Sequence, residues 1–447
     1  MRIAVVGQGY VGLTGAVALA LQGHYVTGIE QESGRLARLL AGEAPVYEPG
    51  LPEQLAAALA TGRLRFAAEL EPLHRQWPFE VVLIAVGTPP SADGTADLLQ
   101  VQVALEEVAG LLPQPCTVLK STVPPGTSQT LLTARPGLRG RYAYNPEFLN
   151  QGSALDDWQT PARVVAGTTS PACLAVLREM YAGVACPWIV TTPTSAEMIK
   201  YASNAFLATK ISFANELARL CTLPDLDIDT VIQGVGSDPR IGHALLQPGL
   251  GFGDSCLPKD TAALAHWAAA HGIHTPLLNA TIDINAAQPQ TAVTVLAQGL
   301  GRDLAGCEIA VLGVRYEPWS DDLRAAPSRT IVPSLLREGA RVRVWDPGTS
   351  PDELMRLFPA AVPQGNLPDA VRGAHGALVL TEWPQVIEAD WVGLAELLAP
   401  PRVVVDGKNC LPAHRMRSPF LAYRSIGNRL PSADPVPTEG TNPLPGP

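Results

Sequence analysis

Residues 251–260 read GFGDSCLPKD. They set Cys256 directly after a glycine-rich bend, with Asp260 four residues further on. A thiol becomes a nucleophile when its thiolate is favoured, and amides of a helix starting at LPKD would favour it. If that helix continues, Cys256 and Asp260 share one face. Lys200 and Asn204 repeat the spacing of four elsewhere in the chain. The seven cysteines stand at 116, 173, 186, 221, 256, 307 and 410. Their number is odd and none forms a CxxC pair, which excludes a disulfide scaffold and a zinc site. An isolated cysteine is most often a small buried residue, so Cys256 is judged by its surroundings.

A second constellation is Gly7-Gln8-Gly9-Tyr10-Val11-Gly12, a GxGxxG pattern. It follows the apolar run RIAVV, opens an apolar helical stretch, and precedes Glu30 by 18 residues. In that context it reads as a dinucleotide fingerprint. Glycines let the backbone approach a pyrophosphate seated on the helix N-terminus. Glu30 would accept hydrogen bonds from the ribose hydroxyls and repel a 2′-phosphate, so NAD is favoured over NADP.

The elements that must position these groups follow from periodicity. Buried strands are expected at 2–6, 24–30, 80–86, 116–120 and 164–166, alternating with helices, hence a parallel α/β sheet. From about 194 to 220 apolar residues recur at helical spacing with no internal proline, which predicts one long helix. Further helices run to about 290. Strand-like segments return at 307–314, 340–346, 376–382 and 402–407. The segment 431–447 is proline-rich with almost no large apolar residues, and disorder is expected there.

The chain has 447 residues, 47% apolar, with a net charge of −10 and no basic block. That argues against nucleic acid as a partner. No apolar run reaches membrane-spanning length, and the first residues are too short for a signal h-region, so a cytoplasmic protein is expected.

Across about 1–430 the chain resembles the UDP-glucose/GDP-mannose dehydrogenase family. The segments that carry the likeness are PVYEPGL (45–51), KSTVPPGT (120–127), NPEFLNQGSALDD (145–157), EMIKYASNAFLATKISFANE (197–216), RIG (240–242), GFGDSCLPKD and SDDLRAAPS (320–328). The long helix and NPEFL are most similar to the branch that oxidises UDP-glucose. The resemblance implies two Rossmann-like, doubly wound parallel-sheet domains joined by a central long helix and helical domain. Its boundaries would be 1–193 for NAD, 194–290 for the helical, dimer-forming part and 291–430 for the UDP-sugar. It also implies a homodimer and oxidation of the sugar C6 alcohol to UDP-glucuronate with two NAD.

Such a four-electron oxidation explains the thiol. Cys256 would add to the intermediate aldehyde as a thiohemiacetal, and loss of the second hydride leaves a thioester that water hydrolyses. By resemblance, Lys200 and Asn204 stabilise negative charge on the C6 oxygen, and Asp260 orients water or the lysine. Glu147 would activate the hydrolytic water, and Thr122 would hold that water and face the nicotinamide. Cofactor contacts are expected from Gly7, Gly9, Tyr10, Val11, Gly12, Glu30, Arg35, Thr88, Thr122, Gln151, Lys259 and Arg324. Sugar-nucleotide contacts are expected from Phe148, Leu149, Asn150, Gln151, Gly152, Lys200, Arg240, Leu245, Leu246, Gln247, Pro248, Gly249, Gly253, Glu317 and Lys408, with Arg240 crossing the dimer. No metal is expected.

The chain departs from the family pattern at Asn150-Gln151, at Gly253-Asp254, at Glu317 and at Lys408-Asn409. Gln151 cannot titrate, and Glu317 faces a diphosphate as a carboxylate unless Arg315 substitutes for the usual cation. Alternatives are therefore a GDP-mannose or other nucleotide-hexose dehydrogenase, and a non-catalytic nucleotide-sugar sensor.

Overall fold

The computed structural model describes residues 1–91, 93–253, 256–318, 323, 325–412, 415–416 and 420–428. The segment 431–447, Asp254 and Arg324 lie outside the described residues. Two compact units divide the chain. The first is built from Met1–Leu207 and Cys256–Asn279, the second chiefly from Ala208–Ser255, Ala280–Pro318 and the residues that follow.

The first unit holds an eight-stranded sheet. Its strands are β1 (Arg2–Val6), β2 (Tyr25–Ile29), β3 (Leu64–Ala67), β4 (Val81–Ile84), β5 (Cys116–Leu119), β6 (Tyr142–Tyr144), β7 (Val164–Gly167) and β8 (Trp188–Thr191). They lie in the order β3-β2-β1-β4-β5-β6-β7-β8. The first six follow the doubly wound pattern, with the winding reversing between β1 and β4. One pairing breaks the expected parallel run: β6 and β7 are antiparallel, with Tyr144 opposite Gly167.

The apolar runs RIAVV and VVLI are buried on both faces, as strands covered by helices above and below must be. Alternate residues divide between two cores. Ile3, Val5 and Leu83 pack with Leu13 and Val17, whereas Ala4, Val82 and Ile84 pack with Val101 and Leu105. Strands β3, β6 and β8 have no continuous apolar run to mark them: β6 has only three residues, β3 carries the exposed Arg65 and β8 is largely exposed.

The second unit repeats the winding in a six-stranded, all-parallel sheet. It comprises β9 (Glu308–Leu312), β10 (Arg341–Trp345), β11 (Val362–Pro363), β12 (Gly376–Val379), β13 (Val403–Asp406) and β14 (Ala422–Ser425). Their order is β11-β10-β9-β12-β13-β14.

The predicted long helix spans Pro193–Leu220. Within the first unit its buried stripe holds Glu197, Lys200, Tyr201, Asn204 and Ala205, at intervals of three, one, three and one. Helical geometry therefore places Lys200 and Asn204 in the interior rather than in solvent. Among the described residues, no helix is long and apolar enough to cross a membrane and no cluster of potential metal ligands is found.

Candidate active site

The glycine loop sits at the carboxyl end of β1. Gly7 has φ +88°, and a Cβ there would lie 2.8 Å from the Ala85 carbonyl oxygen. A Cβ on Gly12 would stand 1.8 Å from the Gly7 carbonyl oxygen. These two glycines are thus required by packing. Around Gly9 a Cβ would meet nothing within 4 Å, so the backbone there is open to a ligand. Gly9 caps the helix Tyr10–Leu21 without a side-chain hydrogen bond, leaving the first amides available to an anion. Half-buried Val11 continues that first turn.

Glu30, buried at the end of β2, accepts from the amides of Gln8 (3.1 Å) and Glu32 (3.0 Å). Its partner cation is Arg35, 3.3 Å away. The Thr88 hydroxyl donates to the Thr122 carbonyl (3.0 Å), tying the segments after β4 and β5. An open backbone cradle beside a buried carboxylate fits a dinucleotide.

Three segments of the first unit bring catalytic candidates together: the loop of Glu147, the long helix with Lys200 and Asn204, and the segment of Cys256 and Asp260. Glu147 follows β6 in the loop before the helix Ala154–Gln159, so it is not a helix-capping carboxylate. Its Oε1 lies 2.8 Å from Lys200 Nζ, with the side chains 9% and 4% exposed, and its Oε2 accepts from the Leu149 amide at 2.7 Å. Burial alone would raise the Glu147 carboxyl. The Lys200 ammonium, the Leu149 amide and Lys120 together outweigh it and hold the group below the usual carboxylate range. Burial likewise opposes the Lys200 charge, but Glu147, Asp260 and Cys256 together raise it above the ordinary lysine value. The site therefore holds an ammonium and a carboxylate at neutral pH.

Cys256 is the N-cap of the helix Leu257–Ala270 and is exposed. The expected helix at LPKD is present, and the Asp260 amide donates to the Cys256 carbonyl at 2.9 Å. Asp260 is buried. Its Oδ2 accepts from Asn204 Nδ2 at 2.6 Å and its Oδ1 from Lys259 Nζ at 2.5 Å. The aspartate thus orients Asn204 and Lys259, while the direct partner of Lys200 is Glu147. The Lys200 ammonium also lies 5.4 Å from the Phe148 ring centroid.

A cavity of about 390 Å³ opens beside Glu147 and Lys200, lined also by Phe148, Arg163, Ser203 and Asn204. Lys120, to which the sequence alone assigns no role, also lines it. Lys120 Nζ lies 3.1 Å from both Asn145 Oδ1 and the Tyr181 hydroxyl, and 4.6 Å from the Trp158 ring centroid. Burial pushes its ammonium down to about 7; Lys200 adds to the shift and Glu147 opposes it. The available signal is a lysine ending the apolar strand CTVLK, at the carboxyl end of a strand in a parallel sheet, where ligands bind.

The loop after Phe148 is held at both ends. The Asn150 amide donates to Asp157 (2.7 Å), and Gly152, with φ +92°, donates to Glu48 (2.8 Å). Gln151 is exposed.

The remaining expected sugar-nucleotide residues belong to the second unit. Leu245 adopts φ +58°, Leu246 and Pro248 are buried, Gln247 is exposed, and the Gly249 amide donates to Asn215 Oδ1 at 2.8 Å. A Cβ on Gly253 would lie 2.6 Å from the Tyr316 ring and 2.7 Å from the Ala325 carbonyl oxygen. Lys408, after β13, donates to the Tyr316 carbonyl (2.9 Å) and pairs with Glu382 (3.1 Å). Glu317 follows β9, so both sit at the carboxyl ends where this fold receives ligands. Arg240 is exposed and forms a 2.5 Å ion pair with Asp238.

One expectation is corrected. Arg315 does not substitute for a diphosphate-binding cation. It is buried, donates to Thr349 (3.1 Å) and to the Gly348 carbonyl, and lies 3.7 Å from Asp346. The chain has left β9 by then, so the extended alternation that would aim it beside Glu317 does not hold.

Residues 1–185 match the NAD binding domain of the UDP-glucose/GDP-mannose dehydrogenase family, 194–287 its central domain and 310–413 its UDP binding domain. The chain is 40% identical to a UDP-glucose 6-dehydrogenase of Pseudomonas aeruginosa, over 96% of this chain and 97% of that protein. It is 38% identical to the UDP-glucose 6-dehydrogenase TuaD of Bacillus subtilis, over 95% and 93%. Among solved structures, a UDP-glucose dehydrogenase from the archaeon Pyrobaculum islandicum superposes with a TM-score of 0.85 at 37% identity, covering 95% of this chain and 97% of that one. With the glycine cradle, the paired sheets and three matched domains in the family's order, the chain belongs to the UDP-glucose/GDP-mannose dehydrogenase family of NAD-dependent oxidoreductases.

Proposed function

We propose that this chain oxidises the C6 alcohol of UDP-glucose to the carboxylate of UDP-glucuronate, removing four electrons, with Cys256 as the nucleophile. The observation that carries the reading is an exposed cysteine at the N-cap position of its helix together with two buried polar pairs, Lys200–Glu147 and Asn204–Asp260. The glycine loop, Glu30, Arg35 and Thr88 would hold NAD, with Lys259 and Arg324 as the family pattern's cofactor-side cations, and NAD bound there would supply the hydride acceptor for each oxidation.

The thiolate of Cys256 attacks the C6 aldehyde, forming a C–S bond as the carbonyl π-pair moves onto oxygen. The Lys200 ammonium and the Asn204 amide meet that charge. After the second oxidation the acyl group is a thioester. Glu147, kept ionised by Lys200, takes a proton from water as the water oxygen bonds the thioester carbon. Collapse breaks the C–S bond, returns the thiolate and releases the carboxylate. Asp260 holds Asn204 in place, and Thr122 would hold the water.

Phe148–Gly152, Leu245–Gly249, Gly253, Glu317 and Lys408 would form the sugar-nucleotide site. On this reading 1–193 serves NAD, 194–290 assembly and 291–430 the UDP-sugar. A homodimer is supported by Phe206, Phe213 and Leu220, which are 66%, 48% and 57% exposed at intervals of seven on the long helix. Arg240 then reaches the partner's nucleotide. A cytoplasmic setting suits a chain that draws on NAD and a nucleotide sugar.

The test is product stoichiometry over a panel of nucleotide sugars. Two NADH per UDP-glucose, and loss of turnover in Cys256→Ser with arrest after partial oxidation, are expected. NADH formation with GDP-mannose alone, or undiminished turnover in Cys256→Ser, refutes the proposal.

A further inference from the structure

The PVYEPGL segment contributes a buried carboxylate that no step above uses. Glu48 is 2% exposed. Its Oε2 accepts from the Tyr10 hydroxyl at 2.5 Å and from the Gly152 amide at 2.8 Å, and its Oε1 accepts from the Ala154 amide at 2.7 Å. Tyr10 is the first residue of the helix behind the glycine loop. Gly152 and Ala154 close the turn that follows Phe148. One carboxylate thus fastens the expected cofactor loop to the expected sugar-nucleotide loop.

We propose that Glu48 is a positioning residue that couples the two ligands, so that ordering the glycine loop around the dinucleotide pre-forms the Phe148–Gly152 loop for the sugar nucleotide. This rests on the function proposed above.

Three features make the link a lever rather than a local cap. First, Glu48 stands on a fixed base: Leu51 and Leu55 of the adjoining helix Leu51–Ala60 are fully buried. Second, its donors come from segments 38 and 104 or more residues away, so neither loop satisfies the carboxylate alone. A buried carboxylate left short of donors is costly, and this makes the two loops' positions interdependent. Third, the same segments touch again one turn deeper. A Cβ on Gly15 would lie 2.6 Å from the Trp158 ring, so the two helices cannot slide independently. The Tyr10 hydroxyl also lies 3.3 Å from the Asn150 carbonyl, on the same loop.

Linkage requires that the effect be reciprocal: each ligand tightens the other by one common factor. NADH and UDP-glucose form a pair that does not turn over, so calorimetry reads that factor directly. In the full-length wild type, saturating UDP-glucose is expected to tighten NADH at least about fivefold, within the usual range of such couplings. Glu48→Gln keeps the shape but turns one acceptor into a donor facing donors. It should bring the factor below about twofold while each ligand alone still binds. Tyr10→Phe deletes one of the three donors and should give an intermediate factor; it carries the test if Glu48→Gln does not fold. A merely structural role would lower thermal stability and weaken both ligands singly, leaving the factor unchanged. An unchanged factor in either folded variant, or no coupling in a wild type that binds both ligands, overturns this inference alone. A wild type that binds neither ligand overturns the proposed function with it.

Discussion

Lys200→Met tests the charge state on which water activation depends. The ammonium and the Glu147 carboxylate are 2.8 Å apart and almost wholly buried. With an effective dielectric of ~20, Coulomb's law gives an attraction of about 6 kcal/mol at that distance. Desolvation of both ions offsets much of this, so the pair's net worth is far smaller. Removing one partner is different, because the survivor keeps its desolvation penalty without the attraction. Lys200→Met should therefore destabilise the fold by ~3–5 kcal/mol, and Glu147→Gln by a similar amount. The double variant orphans no charge and should recover most of the loss. Urea unfolding of the four proteins at pH 7 gives the coupling directly.

The pH dependence has a fixed sign. Glu147 is held below its unfolded value, so its contribution is present above the unfolded pKa and lost as pH falls through the folded one. The wild type's advantage over Glu147→Gln should fade below about pH 4. In Lys200→Met burial is no longer overcome, and the acid limb of turnover should move upward. Additivity of the two substitutions within about 0.5 kcal/mol would show that the charges are not coupled, and the assignment of Glu147 as a poised base would fall.

Gly12→Ala drives a Cβ to 1.8 Å from the Gly7 carbonyl oxygen, a backbone atom that cannot swing aside as a side chain would. NAD affinity measured by fluorescence titration should fall about 100-fold, or ~2.7 kcal/mol. Lys120 is pushed below its unfolded value, so the unfolded chain binds the extra proton between about pH 7 and 10. The stability of the wild type relative to Lys120→Met should therefore rise with pH across that window, by up to ~1.4 kcal/mol per unit in denaturant titrations. Gly253→Ala collides with Tyr316 and the Ala325 carbonyl. It should raise the KM for UDP-glucose about tenfold or more, ~1.4 kcal/mol, with little change in the KM for NAD.

What could be read from the chain alone was whatever has a period or a motif. The stripe of the long helix put Lys200 and Asn204 four apart on a face that is also apolar, and the structure buries both. The glycine loop was legible because Gly7 and Gly12 answer to steric limits set by Ala85 after β4 and by the loop's own turn. Charge state was not legible. Lys200 and Lys120 are both buried lysines near Glu147, yet one is raised and the other lowered. The difference is a carboxylate 2.8 Å from Lys200, with Asp260 and Cys256 adding, whereas Lys120 hydrogen-bonds neutral oxygens, lies against ring faces and feels Glu147 without contact.

Arg315 makes the same point from the other side. Its proximity to Glu317 in sequence suggested a replacement cation, but the turn after β9 directs it to Asp346 and Thr349. A contact between segments far apart in the chain leaves no periodic trace in either one. Glu48 bridges 38 residues to Tyr10 and 104 to Gly152, and neither Tyr10, which opens a helix, nor Gly152, which lies in a loop, signals the contact by itself. In this chain the motifs mark which groups matter, whereas the pairings among them that set charge and position are tertiary. Substitutions that disturb these pairings should accordingly move pH profiles and ligand coupling before they abolish turnover.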